Sequence, residues 1–346
     1  MPSLACPFVP DNVTVASALL STPCPPSRWA DALAEASYAR LSRAPGPLTF
    51  LNIGANKGYA IAEFVDRWTQ RRSTPHRWHD AILEYAKETH HGTLHHTPFL
   101  RCGVCHACKN RAVPPHARAA KVAVHALELL DENREIIRWA ANATGIADMV
   151  TVHNLAGSNA TSKLTFHHTG RAAAGKEGTS ACTSTMGCDR APRGLSVKTV
   201  QAMSVDDLMG TLGLSEIYHV SIDVEGWDAL VVEGMRGAIS RRAVEVFEFE
   251  YKRSGYWTHV DPKERRGLGE LVAWVSEAGY RCYWQSATAL VRVSGECWSP
   301  HFAGVGWSNL LCAHRPHALA ILDRGFGFGR GSAMQGERGV RATANA

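Results

Sequence analysis

Short apolar runs alternate with amphipathic stretches through most of the chain. Leu48-Thr-Phe-Leu-Asn-Ile53 reads as a buried strand, and behind it Tyr59, Ile61, Ala62, Phe64, Val65 and Trp68 recur at the spacing of one helix face. The same alternation predicts strands at about 122–127, 149–153 and 217–222, with helices at about 58–70 and 131–143 between them, the latter stopped by Asn142 to Gly145. Val244 to Tyr251 reads as a fifth strand, Arg265 to Gly279 as a helix, and the segments at 280–285 and 307–312 as two closing strands. Arg28 to Leu41 carries helical periodicity and is placed as a cap on the sheet. Strand alternating with helix predicts an α/β fold with a doubly wound, mainly parallel sheet and helices on both faces.

The turn Ile53-Gly-Ala-Asn-Lys-Gly58 is the first candidate for chemistry. Gly54 and Gly58 permit close approaches that a Cβ forbids, and a helix start offers backbone N–H groups to a ligand. No Gly-Lys-Ser/Thr closes the turn and the third glycine of a dinucleotide fingerprint is missing, so a nucleoside without a long phosphate chain is the expected ligand. A second strand, Val122 to Leu127, ends on Glu128, where a carboxylate accepts ribose hydroxyls or, alternatively, serves the helix that follows. The long interval between the two strands requires an insertion. A third segment, Tyr218-His-Val-Ser-Ile-Asp-Val-Glu-Gly-Trp-Asp228, brings Asp223 and Glu225 to a strand's carboxyl end, where open α/β sheets bind ligands.

Four blocks in this order, at residues 52–58, 125–133, 153–159 and 221–228, resemble the FkbM-type methyltransferases of the class I S-adenosylmethionine-dependent fold, over about residues 48 to 313. The resemblance implies a seven-stranded sheet whose last strand is antiparallel, S-adenosyl-L-methionine as cofactor, and O-methylation of a small-molecule or carbohydrate-like hydroxyl acceptor. The cofactor-binding residues carried onto this chain are Asn52, Gly54, Ala55, Asn56, Gly58, Glu128 and Asn154. Two positions depart from the family pattern: Asn52 stands where an acidic residue is usual, and Leu129 where a proline is usual. A weakly nucleophilic hydroxyl calls for a base, and Asp223 and Glu225 are the catalytic candidates, with Glu248 and Glu250 approaching the same edge. Capping of the next helix is the competing role for the first pair. Trp227, Trp257, Trp284, Trp298 and Trp307 divide between an acceptor pocket and the core, and His153 and His219 read as interior residues with satisfied hydrogen bonds.

The chain has 346 residues, 45% of them hydrophobic, enough for one large catalytic domain. The expected organisation is a leader and capping helix at 1–44, a methyltransferase domain at 45–318 with a Cys/His-rich insertion at about 73–120, and a disordered Gly- and Arg-rich tail at 319–346. Residues 168–196 read as a long mobile loop. A net charge of +5 argues for neither nucleic acid nor a membrane surface as partner. In the insertion, Cys102, Cys105 and Cys108 form a candidate zinc site completed by His95, His96, His106 or His116, with three reduced thiols as the alternative. Arg101, Lys109, Arg111, Arg118 and Lys121 make this segment basic, which supports a competing class of function, a non-catalytic binding module engaging a partner or nucleic acid. The first residues lack a basic start and an apolar run, and no apolar run reaches membrane-spanning length, which predicts a cytoplasmic chain. Ten cysteines and Asn-x-Thr sequons at Asn12, Asn142 and Asn159 keep a secreted form as the alternative.

Overall fold

The computed structural model describes Cys6 and residues 28–69, 74–89, 120–168, 180–181, 196–253, 255–286 and 289–324. Its first half contains α1 (Arg28–Leu41), β1 (Leu48–Ile53), α2 (Tyr59–Trp68), α3 (Pro75–Thr89), β2 (Val122–Leu127), α4 (Asp131–Ala143), β3 (Val150–His153), β4 (Leu155–Gly157), β5 (Ser162–His168), β6 (Ser180–Ala181) and β7 (Ser196–Met203). The second half contains α5 (Val205–Leu212), β8 (Ile217–Ile222), α6 (Asp228–Glu233), α7 (Arg236–Ser240), β9 (Val244–Lys252), α8 (Tyr256–His259) and α9 (Leu268–Glu277). It closes with β10 (Arg281–Gln285), β11 (Leu290–Arg292), α10 (His301–Gly304), β12 (Trp307–Ala313) and α11 (Pro316–Leu322).

The main sheet has the order β11-β10-β12-β9-β8-β1-β2-β3. Strands β3, β2, β1, β8 and β9 run parallel, and β12 lies antiparallel to both β9 and β10. The expected seven strands are therefore present with the last, β12, antiparallel, and β11 adds an eighth at the edge by pairing with β10. Strand β1 is buried at all six positions because helices cover both faces, the reason a central parallel strand reads as a continuous apolar run. On one face Phe50, Val124 and Ala126 pack with α2, α3 and α4; on the other Leu51, Ile53 and Leu127 join α5, α6, α7 and α9. Helices α1 and α11 cover β9, β10 and β12 on the side where Val246, Tyr283 and Leu311 emerge.

The sequence pattern did not predict several elements, and a helix and a small sheet among them bear on the site. Helix α3, within the expected insertion, buries Trp78, Ala81, Ile82 and Ala86. The Trp78 indole is fully enclosed and donates to the Lys57 carbonyl at 2.7 Å, and truncating a tryptophan so placed costs about 3–5 kcal/mol. The insertion thus begins as a buttress under the β1 turn. A separate four-stranded sheet, β4-β7-β5-β6, follows β3. Its small core of Ala156, Phe166, Val200 and Ala202 packs against Leu129 and Leu130, so Leu129, in place of the usual proline, anchors that sheet. Of the expected mobile loop at 168–196, only His168, Ser180, Ala181 and Ser196 are described, and all four lie in strands. Most of the expected leader, the Cys102-Cys105-Cys108 run and the tail beyond Arg324 lie outside the described residues.

Strands β1 and β8 meet in a backbone contact. Gly54 has a φ of 75°, and a Cβ there would stand 1.8 Å from the Asp223 carbonyl oxygen. The neighbouring strand, before any ligand, therefore demands this glycine. Disulfides join Cys282 to Cys312, directly opposed on β10 and β12, and Cys6 to Cys297 across 291 residues of sequence. Among the described residues no helix is long and apolar enough to cross a membrane.

Gly54→Ala is expected to lose more than about 4 kcal/mol of unfolding free energy, while Gly46→Ala, where an added Cβ meets nothing within 4 Å, stays within about 0.5 kcal/mol in the same urea titration. Cys6→Ser is expected to cost about 2–4 kcal/mol under oxidising conditions and nothing further once the wild type is fully reduced.

Candidate functional site

Strands β2, β1 and β8 end in register, and β9 continues beside them to Lys252. Ile53 pairs with Leu127 and with Ile222, and Ile222 pairs with Phe249. The next step brings Glu128, Gly54, Asp223 and Glu250 into a lateral row, and at about 4.8 Å per strand the backbones of the two outer residues stand about 14 Å apart.

At one end of the row Glu128 is only 5% exposed. Its Oε2 accepts the Asn56 N–H at 2.7 Å and its Oε1 the Leu130 N–H at 2.8 Å, so the side chain ties the β1 turn to the end of β2. A carboxylate only accepts, so both bonds run from backbone donors to its oxygens. The backbone N–H groups expected to face a ligand are engaged within the protein. Gly54 and Ala55 donate to the Leu127 carbonyl, Asn56 to Glu128, and Gly58 to the Ala55 carbonyl. The cause is geometric: positive φ at Gly54, Asn56 and Gly58 coils the turn back on β2. A Cβ on Gly58 would lie 2.8 Å from the Trp78 ring, so α3 claims that position.

Asn52, on β1 just before this turn, is 4% exposed, and its Oδ1 has no hydrogen-bond partner among the described residues. A buried amide oxygen left unpaired costs about 1–3 kcal/mol. Asn154, between β3 and β4, is exposed.

The β8 end is organised by a residue that the sequence reading quoted but gave no role. Asp228 is fully buried; its Oδ1 accepts the N–H groups of Val224 at 3.3 Å and Glu250 at 3.2 Å, and its Oδ2 that of Gly226 at 3.1 Å. Burial, reinforced by the charge of Glu250, pushes this carboxyl well above its ordinary range despite those donors. Its position in the first turn of α6 resembles a simple dipole partner, and only the contact with β9, 22 residues away, distinguishes it. The turn it holds contains Glu225 at a φ of 57° and Gly226 at 91°.

Asp223 and Glu225 are both exposed at this edge. Glu225 pairs with Lys252 at the end of β9. Burial works against the Lys252 charge, but Glu225, Glu250 and Asp223 outweigh it and raise its pKa. Glu250 is 8% exposed; the Trp307 indole donates to its Oε1, while Oε2 is buried without a partner among the described residues. Burial raises its pKa, with Glu225 adding to the shift and Trp307 and Lys252 opposing it. Glu248 lies deeper, receiving Gln285 Nε2 at 3.0 Å and standing 3.4 Å from His219, whose ring is interior as expected but whose Nε2, against expectation, has no hydrogen-bond partner among the described residues. His153 is half-buried against His125, with ring nitrogens 3.1 Å apart. Of the tryptophans, Trp257 and Trp284 are core residues, Trp227 and Trp298 pack partly buried against that core, and Trp307 reaches Glu250. Among the described residues no group of three or more His, Cys, Asp or Glu side chains is placed to hold a metal ion.

Residues 52–282 match the methyltransferase FkbM domain family. Similar solved structures include methyltransferase FkbM from Methylobacillus flagellatus KT, with a TM-score of 0.38 and 12% identity, covering 81% of this chain and 47% of that one. Precorrin-6y C5,15-methyltransferase from Geobacter metallireducens GS-15 gives a TM-score of 0.30 and 10% identity, covering 82% and 87% of the two chains. An O-methyltransferase from Bacillus cereus in complex with SAH gives 0.31 and 10%, covering 83% and 90%. The chain thus spans less than half the length of the first of these structures. No curated protein matches it. The family match takes in more than half of the 346 residues, including the whole row from Glu128 to Glu250, and the chain belongs to the FkbM methyltransferase domain family.

Proposed function

We propose that the chain binds S-adenosyl-L-methionine over the ends of β1 and β2 and transfers its methyl group to a hydroxyl oxygen of a small-molecule or carbohydrate-like acceptor held over β8 and β9. The observation that carries the cofactor reading is the buried, unpartnered Oδ1 of Asn52, beside a turn tied down by Glu128. A fold keeps such an atom at a cost, and a ligand amino group would satisfy it. Glu128, the carboxylate at the end of β2, is the candidate acceptor for ribose hydroxyls. Gly54, Ala55, Asn56 and Gly58 shape the floor, and exposed Asn154 flanks it beyond β3. These residues fit the group.

The cofactor supplies an activated methyl and its own leaving group, which leaves the protein to orient the acceptor and take its proton. Asp223 and Glu225 face solvent at the acceptor side of the row, suited to holding acceptor hydroxyls, with Glu225 fixed by Lys252. Glu250, with an unpartnered oxygen and a raised pKa, is a third proton-accepting candidate.

Isothermal titration of the full chain with S-adenosylhomocysteine is expected to give saturable binding. Asn52→Ala should weaken it about tenfold, or about 1.4 kcal/mol, while unfolding free energy changes by less than about 1 kcal/mol. No binding by folded wild type overturns the cofactor reading, and unchanged affinity in the variant removes Asn52 from it. With a hydroxyl acceptor in hand, the base must be ionised to act, so kcat is expected to fall as pH drops through the raised Glu250 pKa, above the ordinary glutamate range. Glu250→Gln should abolish that limb; an identical limb in the variant assigns the proton to another group, with Asp223→Asn as the next test.

A further inference from the structure

Two features of the chain play no part in methyl transfer, its disulfides and an exposed sequon. Cys282 and Cys312 are directly opposed partners on β10 and β12, both without solvent exposure, and their bond lies inside the core that α9 and α10 cover. The Cys6–Cys297 bond fastens the start of the chain to the short turn Gly295–Cys297 after β11. Bonds of this kind form where thiols can pass two electrons and two protons to a protein disulfide oxidant, and cytosolic thiol pools keep such pairs reduced. The fold is therefore built for an oxidising compartment.

The same compartment is where Asn-x-Thr sequences meet an oligosaccharide donor. Asn159-Ala-Thr161 occupies the turn between β4 and β5 on the separate sheet, with all three residues exposed and no proline in the middle. The Asn159 amide oxygen accepts from the neighbouring Ser158 hydroxyl at 3.4 Å, and Thr161 donates to Asp207 at 2.5 Å on the surface. Asn142 is exposed as well, but its Thr144 is buried with the hydroxyl donating to the Ala140 carbonyl at 2.7 Å. Asn12 lies outside the described residues.

We propose that the chain folds in an oxidising lumen and carries an N-linked oligosaccharide on Asn159, at the solvent-facing tip of the β4–β5 turn. In the transfer, the Asn159 amide nitrogen bonds to the anomeric carbon of a lipid-pyrophosphate-linked oligosaccharide. The anomeric carbon–oxygen bond breaks, the lipid pyrophosphate leaves with the electron pair, and the amide gives up one proton. A glycan there projects into solvent, since Asn159 is exposed.

The test uses the full chain isolated from its own cells. Digestion with peptide N-glycosidase in heavy-oxygen water is expected to return residue 159 as labelled aspartate, and Asn159→Gln is expected to migrate one glycan step faster than wild type before digestion. Alkylation of the denatured, unreduced chain should leave Cys282 and Cys312 unlabelled until a reductant is added. Recovery of residue 159 as unmodified asparagine overturns the glycan assignment, and labelling of both thiols before reduction overturns the compartment.

Discussion

The contact between Gly54 and the Asp223 carbonyl fixes how closely β1 and β8 approach, and the row of groups at the sheet edge depends on it. A side chain at Gly54 would wedge the two strands apart just where their hydrogen bonding ends, with Asp223 N–H donating to the Ile53 carbonyl at 2.9 Å as the last rung. With that rung in place, Asn52 sits one layer below the turn, Glu128 beside it, and Asp223 on its other flank. The turn has little freedom left, since its N–H groups bond to β2 and Trp78 supports it from beneath. A cradle held by its own protein needs no rearrangement to receive a ligand, which lowers the ordering cost of binding.

The opposite end of the row has a different balance. Asp228 and Glu250 place two carboxyls in low-dielectric surroundings; the charge of Glu250 raises the cost of ionising Asp228, and that of Glu225 the cost of ionising Glu250. Three backbone donors compensate Asp228, whereas Glu250 has one indole and an unfilled oxygen. Well-packed folds satisfy buried polar groups, so the two unfilled oxygens along this edge, on Asn52 and Glu250, mark where local stability gives way to another requirement. They lie on either side of the Gly54 contact, one toward the proposed cofactor end of the row and one toward the proposed acceptor end.

Much of this was legible in the sequence because the central strands are buried on both faces and the helices on one, so hydrophobic period alone separates them. Glu128 was legible from its place after a strand. Helix α3 was not, although Trp78, Ala81, Ile82 and Ala86 have helical spacing, because the histidines and cysteines around them suggested a metal-bearing loop. The separate sheet escaped notice because β5, Ser-Lys-Leu-Thr-Phe-His-His, has little apolar contrast, and β11 because three residues carry no period. The role of Asp228 depends on the backbone of β9, which no local pattern encodes. Disulfide pairing is likewise invisible to spacing, since ten cysteines allow many connectivities.

The Cys6–Cys297 bond also sets an order on biosynthesis. A ribosome adding about 5–20 residues per second needs about 15–60 seconds to travel from one cysteine to the other. Through that interval Cys6 waits as a thiol while every cysteine from Cys24 to Cys282 emerges before its partner. The bond can close only after Cys297 has emerged, so the segment around Cys6 is fastened late.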